Sequence, residues 1–141
     1  MCRVDGAEPR FVTDGGDIQP LVPGPWGPGD FDPEFSPGNR SICFQRSTDA
    51  AVNFAAGIPS HDIMSVRTDG TGLKRISPEG NTGIHGIADW SEDDRIIFSE
   101  WHAADRYVGP VVVNADGSRY RRLTDLPFGG SHARWIPAPR K

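Results

Sequence analysis

A unit of about forty residues, from 88 to 124, alternates short apolar runs with turn-forming residues. Trp90 stands at the first run, and the polar residues 91–94 turn the chain into a second run at 95–99. The third run lies at 111–114, and Asp116-Gly117 then tolerates the positive φ of a tight hairpin before the fourth run at 120–124. The unit is therefore predicted to form four short antiparallel strands.

Parts of this unit recur on both sides of it. Residues 35–44 align with 90–98 after one deletion, residues 66–77 align with 113–124 without a gap, and partial copies occupy 5–13 and 133–137. The recurring aromatic residues are Phe35, Trp90 and Trp135, and the recurring turn pairs are Asp5-Gly6, Asp69-Gly70 and Asp116-Gly117. We predict structural roles for these residues in an all-β repeat protein.

The pattern resembles the WD-like repeat of the TolB family of β-propellers. That repeat has an aromatic-Ser-Pro-Asp-Gly turn, two apolar strands, an Ala-Asp-Gly-Ser turn and a closing Leu-Thr. The most specific matches are Trp90-Ser91 and residues 114–118, and the resemblance covers most of residues 4–137. It departs at residues 92–94, which lack the usual Pro and Gly, so that turn is expected to adopt another geometry.

The resemblance implies an all-β fold, a partial β-propeller with two complete four-stranded antiparallel blades and a partial blade at each end. Residues 1–141 would form a single incomplete propeller domain. Its parts would be a partial blade at 1–13, a Gly/Pro-rich loop at 14–32, blades at 33–77 and 84–124, and the start of another blade at 131–137. About ten strands are expected, and the only candidate helical turn is at 48–56.

The number of blades bears on function. A closed propeller takes typically about four to eight blades around a central channel, so this chain reads as a segment of a longer propeller. An isolated pair of blades leaves two apolar faces open, which predicts self-association or a loosely packed monomer.

Charge and hydropathy exclude some partners. A net charge of −4 provides no basic excess for phosphates, so nucleic acid is not an expected partner. No apolar run approaches the length of a membrane span.

The first residues lack the apolar core of a secretory signal, which predicts a cytoplasmic protein as the sequence stands. A periplasmic or secreted location, common among TolB relatives, would follow if the true amino terminus lies upstream.

The cysteines and the basic residues of the outer strands allow further predictions. Cys2 and Cys43 have no metal-ligand spacing, and Cys43 within a strand is expected to be a small buried residue. The basic pairs Lys74-Arg75 and Arg121-Arg122 fall on the outermost strands, as Arg10 does. We expect solvated strand edges there rather than an anion site.

The chain shows no nucleophile-elbow motif, phosphate loop or zinc spacing, so no catalytic residue and no cofactor is predicted. One group of polar residues is expected on a single face of the propeller, where the connections from outer to inner strands and from second to third strands lie. Its members are His61, His85, His102 and His132, with Asp89 and Glu100 nearby. Two interpretations stay open: a ligand-binding or metal-binding group, or polar residues that share a loop-rich surface by chance.

These observations favour a non-catalytic segment that binds a protein or a small ligand on that face. The alternative is the propeller portion of a prolyl-oligopeptidase-type serine peptidase or of a metal-dependent propeller lyase. A truncated gene product without independent function is a third interpretation.

Overall fold

The computed structural model of the chain describes residues 12–13, 29–47, 61–78, 84–102, 106–125 and 133–136. These ranges contain eight strands and no helix, which confirms the all-β prediction. The strands are β1 Asp30–Phe35, β2 Ser41–Ser47, β3 His61–Arg67, β4 Lys74–Arg75, β5 Ile84–Trp90, β6 Arg95–His102, β7 Tyr107–Asn114 and β8 Arg121–Arg122. Within the described ranges, no helix is available that could cross a membrane.

The strands form two consecutive antiparallel blades. Blade 1 has the order β1-β2-β3-β4, and blade 2 has the order β5-β6-β7-β8. A single parallel pair, His61 with Ile84, joins the two blades into one hydrogen-bonded sheet. The predicted pair of four-stranded blades is therefore confirmed.

The main apolar core lies between the two blades. Side chains of directly opposed residues share a face of the sheet, so each blade has two distinct faces. One face of blade 1 contributes Cys43, Ile63 and Ile76 to a cluster that also contains Phe98 and Val113 of blade 2. Burial of each such aliphatic or aromatic side chain stabilises the fold by about 1.5–3 kcal/mol, so this interface is the principal source of stability. Burial also raises the pKa of the Cys43 thiol to about 12, as suits the expected buried cysteine.

The opposite face of blade 1 carries a second apolar cluster. Ile42, Phe44 and Val66 are buried there, and Val12 packs against them. The hydroxyl of Thr13 donates a hydrogen bond to the carboxylate of Asp30. Residues 12–13 thus lie against the face of blade 1 that points away from blade 2.

The Asp-Gly turns have the predicted geometry. Gly70 has φ of 89° and Gly117 has φ of 91°, values that favour glycine. In the second turn, the Gly117 amide donates to the carbonyl of Asn114 at 2.8 Å, and Asp116 Oδ1 accepts from the Ser118 amide at 2.8 Å. These bonds close the hairpin between β7 and β8.

The turn at 92–94, where another geometry was expected, is one residue shorter than its counterpart in blade 1: the Ser91 amide donates to the Arg95 carbonyl, whereas the Ser36 amide donates to the Ser41 carbonyl. Asp94 has φ of 58° and its counterpart Asn39 has φ of 52°, so each takes the left-handed position. Ser91 Oγ accepts from the Arg95 amide at 2.9 Å, as Ser36 Oγ accepts from the Ser41 amide at 3.1 Å. Asp and Asn tolerate this region of φ, so the turn does not need glycine.

Blade 1 begins earlier than predicted, because β1 starts at Asp30 within the stretch 14–32 that was assigned to a loop. The register of β1 and β2 shifts between Phe31 and Glu34, and Asp32 has φ of 48°. Such a bulge accommodates Pro33, which has no amide hydrogen to donate to the neighbouring strand. The predicted parts at 1–11, 14–28, 48–56 and 131–132 lie outside the described residues.

The three aromatic positions differ in burial. Trp90 packs against the core between the blades, whereas Phe35 is 43% exposed. Trp135 lies beneath the guanidinium of Arg95, whose central carbon is 4.7 Å from the ring centroid. Only Trp90 therefore contributes to the core shared by the two blades.

Candidate functional site

The backbone brings three of the four histidines to one end of the blades, which we call the histidine end. His61 is the first residue of β3 and pairs with Ser47, the last residue of β2. His102 is the last residue of β6, and His85 follows the first residue of β5. His132 lies outside the described residues. The strands therefore place these three backbone positions at one end of the blades.

The described histidines differ in access. His61 is only 8% exposed, and the edge of its imidazole contacts Phe31 with the ring centroids 6.0 Å apart. His102 is half-buried. Among the residues that the structure describes, no three His, Cys, Asp or Glu side chains are placed to hold a metal ion.

Asp89 is not brought together with these histidines. It lies four residues beyond His85 along β5, which corresponds to about 13 Å in an extended strand. Its carboxylate accepts a hydrogen bond from the Trp135 amide at 2.6 Å and lies 3.7 Å from the guanidinium of Arg134. Arg134 also reaches Glu34 of β1 at 3.5 Å. Asp89 thus holds residues 133–136 beside the first strands of both blades.

Glu100 lies within the core between the blades and is 1% exposed. Its carboxylate accepts hydrogen bonds from the Tyr120 hydroxyl at 2.6 Å and from Arg122 Nε at 3.2 Å. Burial, and then the hydrogen bond to Glu100, raise the pKa of Tyr120. Arg122 in turn stacks on Tyr107, with its guanidinium carbon 4.0 Å from the ring centroid. Glu100 is therefore engaged in the interior and is not open to a ligand at the surface.

The outer-strand arginines are not simply solvated edges, contrary to expectation. Arg75 forms an ion pair with Asp62 at 2.6 Å, and Ser77 Oγ donates to the same carboxylate oxygen at 2.9 Å. Arg122 has the corresponding pair with Glu100. Their neighbours Lys74 and Arg121 are exposed, as predicted. The first residue of each short outer strand thus faces solvent, while the second reaches a buried carboxylate.

A cleft of about 740 Å³ opens between the blades at the other end, where the tight turns lie. We call it the turn-side cleft. The residues that define it chemically are Arg67, Lys74, Trp90, Asp93, Asp94 and Asp116. Sequence reasoning missed this cleft. The signal that could have revealed it is the acidic run at 92–94, which replaces the Pro-Gly of the related turn.

Comparison with known proteins supports the fold. Two consecutive four-stranded blades with a shared core define a segment of a β-propeller. The chain is similar in structure to a protein assigned as TolB from Agrobacterium tumefaciens, with a TM-score of 0.52 and 24% sequence identity. The match covers 70% of this chain and 34% of that one, so this chain spans about a third of that protein's length. The fold is therefore TolB-like.

Neither of the other two searches adds a relative. No protein-family model matches the sequence, and no curated protein matches it.

Proposed function

We propose that this chain is a non-catalytic binding segment of a longer TolB-like β-propeller. The observation that carries the proposal is a difference between two aligned positions. Ile76 of blade 1 is 2% exposed because it lies in the core against blade 2, whereas Leu123 of blade 2 is 38% exposed. In a longer propeller, another blade would cover Leu123 as blade 2 covers Ile76.

The histidine end is the proposed contact surface for a protein or a small ligand. The connection between β2 and β3, residues 48–60, joins the strands at this end, and so does the connection between β6 and β7. The other end carries the short turns at 36–40 and 91–94. Binding residues are concentrated on variable connections that a rigid scaffold positions, which favours the histidine end.

Metal titration tests whether the imidazoles at this end converge. Nickel or zinc should bind the purified protein, with an affinity that falls as the pH drops through about 6.5, because protonation removes the donor lone pair. The variant with all four histidines changed to Ala should lose this binding. Because His61 is largely buried, the double variant His102→Ala/His132→Ala is the safer test, with Asp69→Ala at the opposite end as control. If the quadruple variant binds metal as tightly as the parent chain, the histidines do not form a metal-binding site at this end.

Catalysis is tested separately. A chromogenic prolyl peptide should remain intact in the presence of the purified chain. Turnover that copurifies with the chain would contradict the non-catalytic proposal and favour the peptidase interpretation.

A further inference from the structure

The turn-side cleft has walls of opposite charge. Arg67 and Lys74 stand on the side of blade 1, whereas the carboxylates of Asp93, Asp94 and Asp116 stand on the side of blade 2. The walls come from consecutive blades, so the charge separation runs across the cleft rather than along it. A ligand between the blades would therefore meet cations on one side and anions on the other.

The two acidic residues of the turn in the blade 2 wall differ in their contacts: Asp93 accepts a hydrogen bond from the Ser91 hydroxyl at 2.6 Å and pairs with Arg95 at 2.7 Å, whereas Asp94 contacts the Trp90 indole. The matching turn of blade 1 has Gly38 and Asn39 where blade 2 has Asp93 and Asp94, and the inner hydrogen bond is shared, since the Asn39 amide donates to the Ser36 carbonyl as the Asp94 amide donates to the Ser91 carbonyl. Uncharged residues thus satisfy the local geometry. Asp94 therefore adds charge to the cleft without being needed to close the turn, whereas Asp93 is paired with Arg95.

Hydrogen bonds lower the pKa of two of these carboxylates. A hydrogen bond from Arg95 lowers the pKa of Asp93, and a hydrogen bond from Ser118 lowers the pKa of Asp116. Asp94 Oδ1 accepts a hydrogen bond from Trp90 Nε1 at 3.2 Å, which places the indole beside the acidic wall. The wall therefore presents negative charge next to an aromatic ring.

Lys74 faces this wall without contacting it. Its ammonium lowers the pKa of Asp116, so the two groups interact across space. Among the described residues, none forms an ion pair with the Lys74 ammonium within 4.0 Å. Arg67 differs, because it lies 3.4 Å from Asp69 in its own turn. The Lys74 ammonium thus remains available to a ligand anion.

We propose that the turn-side cleft binds a small zwitterion of about one or two amino acids, with its cationic group at Asp94 and Asp116 and its carboxylate at Lys74. A volume of about 740 Å³ lies within the range of small-molecule sites. Asp93 is paired with Arg95 at 2.7 Å and Arg67 with Asp69 at 3.4 Å, which leaves Asp94 and Asp116 opposite Lys74, so a ligand that carries both charges is matched. This site lies at the opposite end from the surface under Proposed function and does not depend on it.

The dipeptide Lys-Glu is a suitable probe, and the uncharged N-acetyl-glycyl-glycinamide is its control. Titration of the ¹⁵N-labelled full chain should give saturable amide shifts at Lys74, Ala115 and Asp116 with Lys-Glu at millimolar concentration, and none with the uncharged control. Added sodium chloride should weaken the binding, because salt screens exposed charges.

Matched variants assign the two walls. Lys74→Gln and Asp116→Asn should each weaken binding of Lys-Glu by about two- to fivefold, the range expected for solvent-exposed ion pairs. Arg121→Gln removes one positive charge on the outer strand of blade 2, away from the cleft, and should leave the affinity unchanged. Asn at 116 retains an oxygen that can accept from the Ser118 amide, so the turn should survive, and the dispersion of the amide spectrum verifies folding.

Three results would overturn the proposal: no saturable shifts with Lys-Glu, equal shifts with the uncharged control, or an equal loss of affinity in Arg121→Gln and Lys74→Gln. Loss confined to the two cleft variants would support it.

Discussion

The carboxylate of Glu100 accepts a hydrogen bond from Arg122 Nε at 3.2 Å, although strand β7 lies between their strands. The residue of β7 directly opposite Glu100 is Gly109, which places no side chain of its own beside the carboxylate. A Cβ atom at 109 would lie only 2.8 Å from the Tyr107 hydroxyl oxygen. In blade 1, the arginine of the outer strand also has a buried carboxylate partner, but the partner lies on the neighbouring strand: Asp62 of β3 pairs with Arg75 of β4. In each blade, the arginine of the outer strand thus pairs with one buried carboxylate, which lies on the third strand in blade 1 and on the second strand in blade 2.

Removal of the Glu100 carboxylate should destabilise the fold strongly. Glu100→Ala leaves Arg122 and the Tyr120 hydroxyl without their buried partner, and loss of one member of a buried ion pair typically costs about 3–5 kcal/mol. Because 30% of the Arg122 side chain is exposed, we expect a value near the lower limit. Urea denaturation measures the change, and Glu92→Ala, an exposed acidic residue of a turn, is the control. A loss equal to that of the control would mean that the pair does not stabilise the blade.

The Asp-Gly turns should reject branched side chains. Gly117→Val and Gly70→Val force a β-branched residue to a positive φ, which should lower the free energy of unfolding by about 1–3 kcal/mol each. Gly38→Val is a matched control, because Gly38 has no positive φ and a Cβ there meets only Arg40 Cγ at 3.9 Å. Denaturation midpoints that match the control in both variants would refute the turn geometry.

Asp69 should titrate at low pH. The hydrogen bond from the Thr71 hydroxyl, followed by that from the Thr71 amide, lowers the pKa of Asp69 to about 2. A lowered folded-state pKa favours the folded state above the unfolded value of about 3.9, and this contribution is lost as the pH falls through about 2. Carboxyl chemical shifts followed by NMR measure the pKa. Thr71→Val should raise the pKa towards its ordinary value, and an unchanged pKa in that variant would exclude the hydroxyl as the cause.

The sequence predicted the repeat, but it did not predict which partners the charged side chains of the repeat contact. The turns at Gly70 and Gly117 could be predicted, because a positive φ in a short turn selects glycine. The strand at 95–99 could be predicted, because a buried strand requires a run of apolar residues. The start of β1 was missed, because residues 30–32 continue the Gly/Pro-rich stretch that was assigned to a loop, and only the pairing with β2 identifies them as a strand. Arg75 and Arg122 were assigned to solvent because their buried partners lie on other strands. The pairing that brings them together is visible only after the blades form.

The open face of blade 2 should promote association. Leu123 is partly exposed at the position where Ile76 of blade 1 is buried, so a second molecule can cover it. Sedimentation equilibrium should show concentration-dependent association, and Leu123→Asp should weaken it. A compact monomer at all concentrations, which also fails to bind a hydrophobic dye, would contradict this expectation.

The packing of the two blades against each other is tested most directly by methyl NOE measurements in solution. Ile63 and Ile76 of blade 1 share one core with Val111 and Val113 of blade 2, so NOEs should connect methyl groups of the two pairs. All four residues are at most 2% exposed. If NOEs occur within each blade but none connects the blades, the chain does not form consecutive propeller blades around a common core.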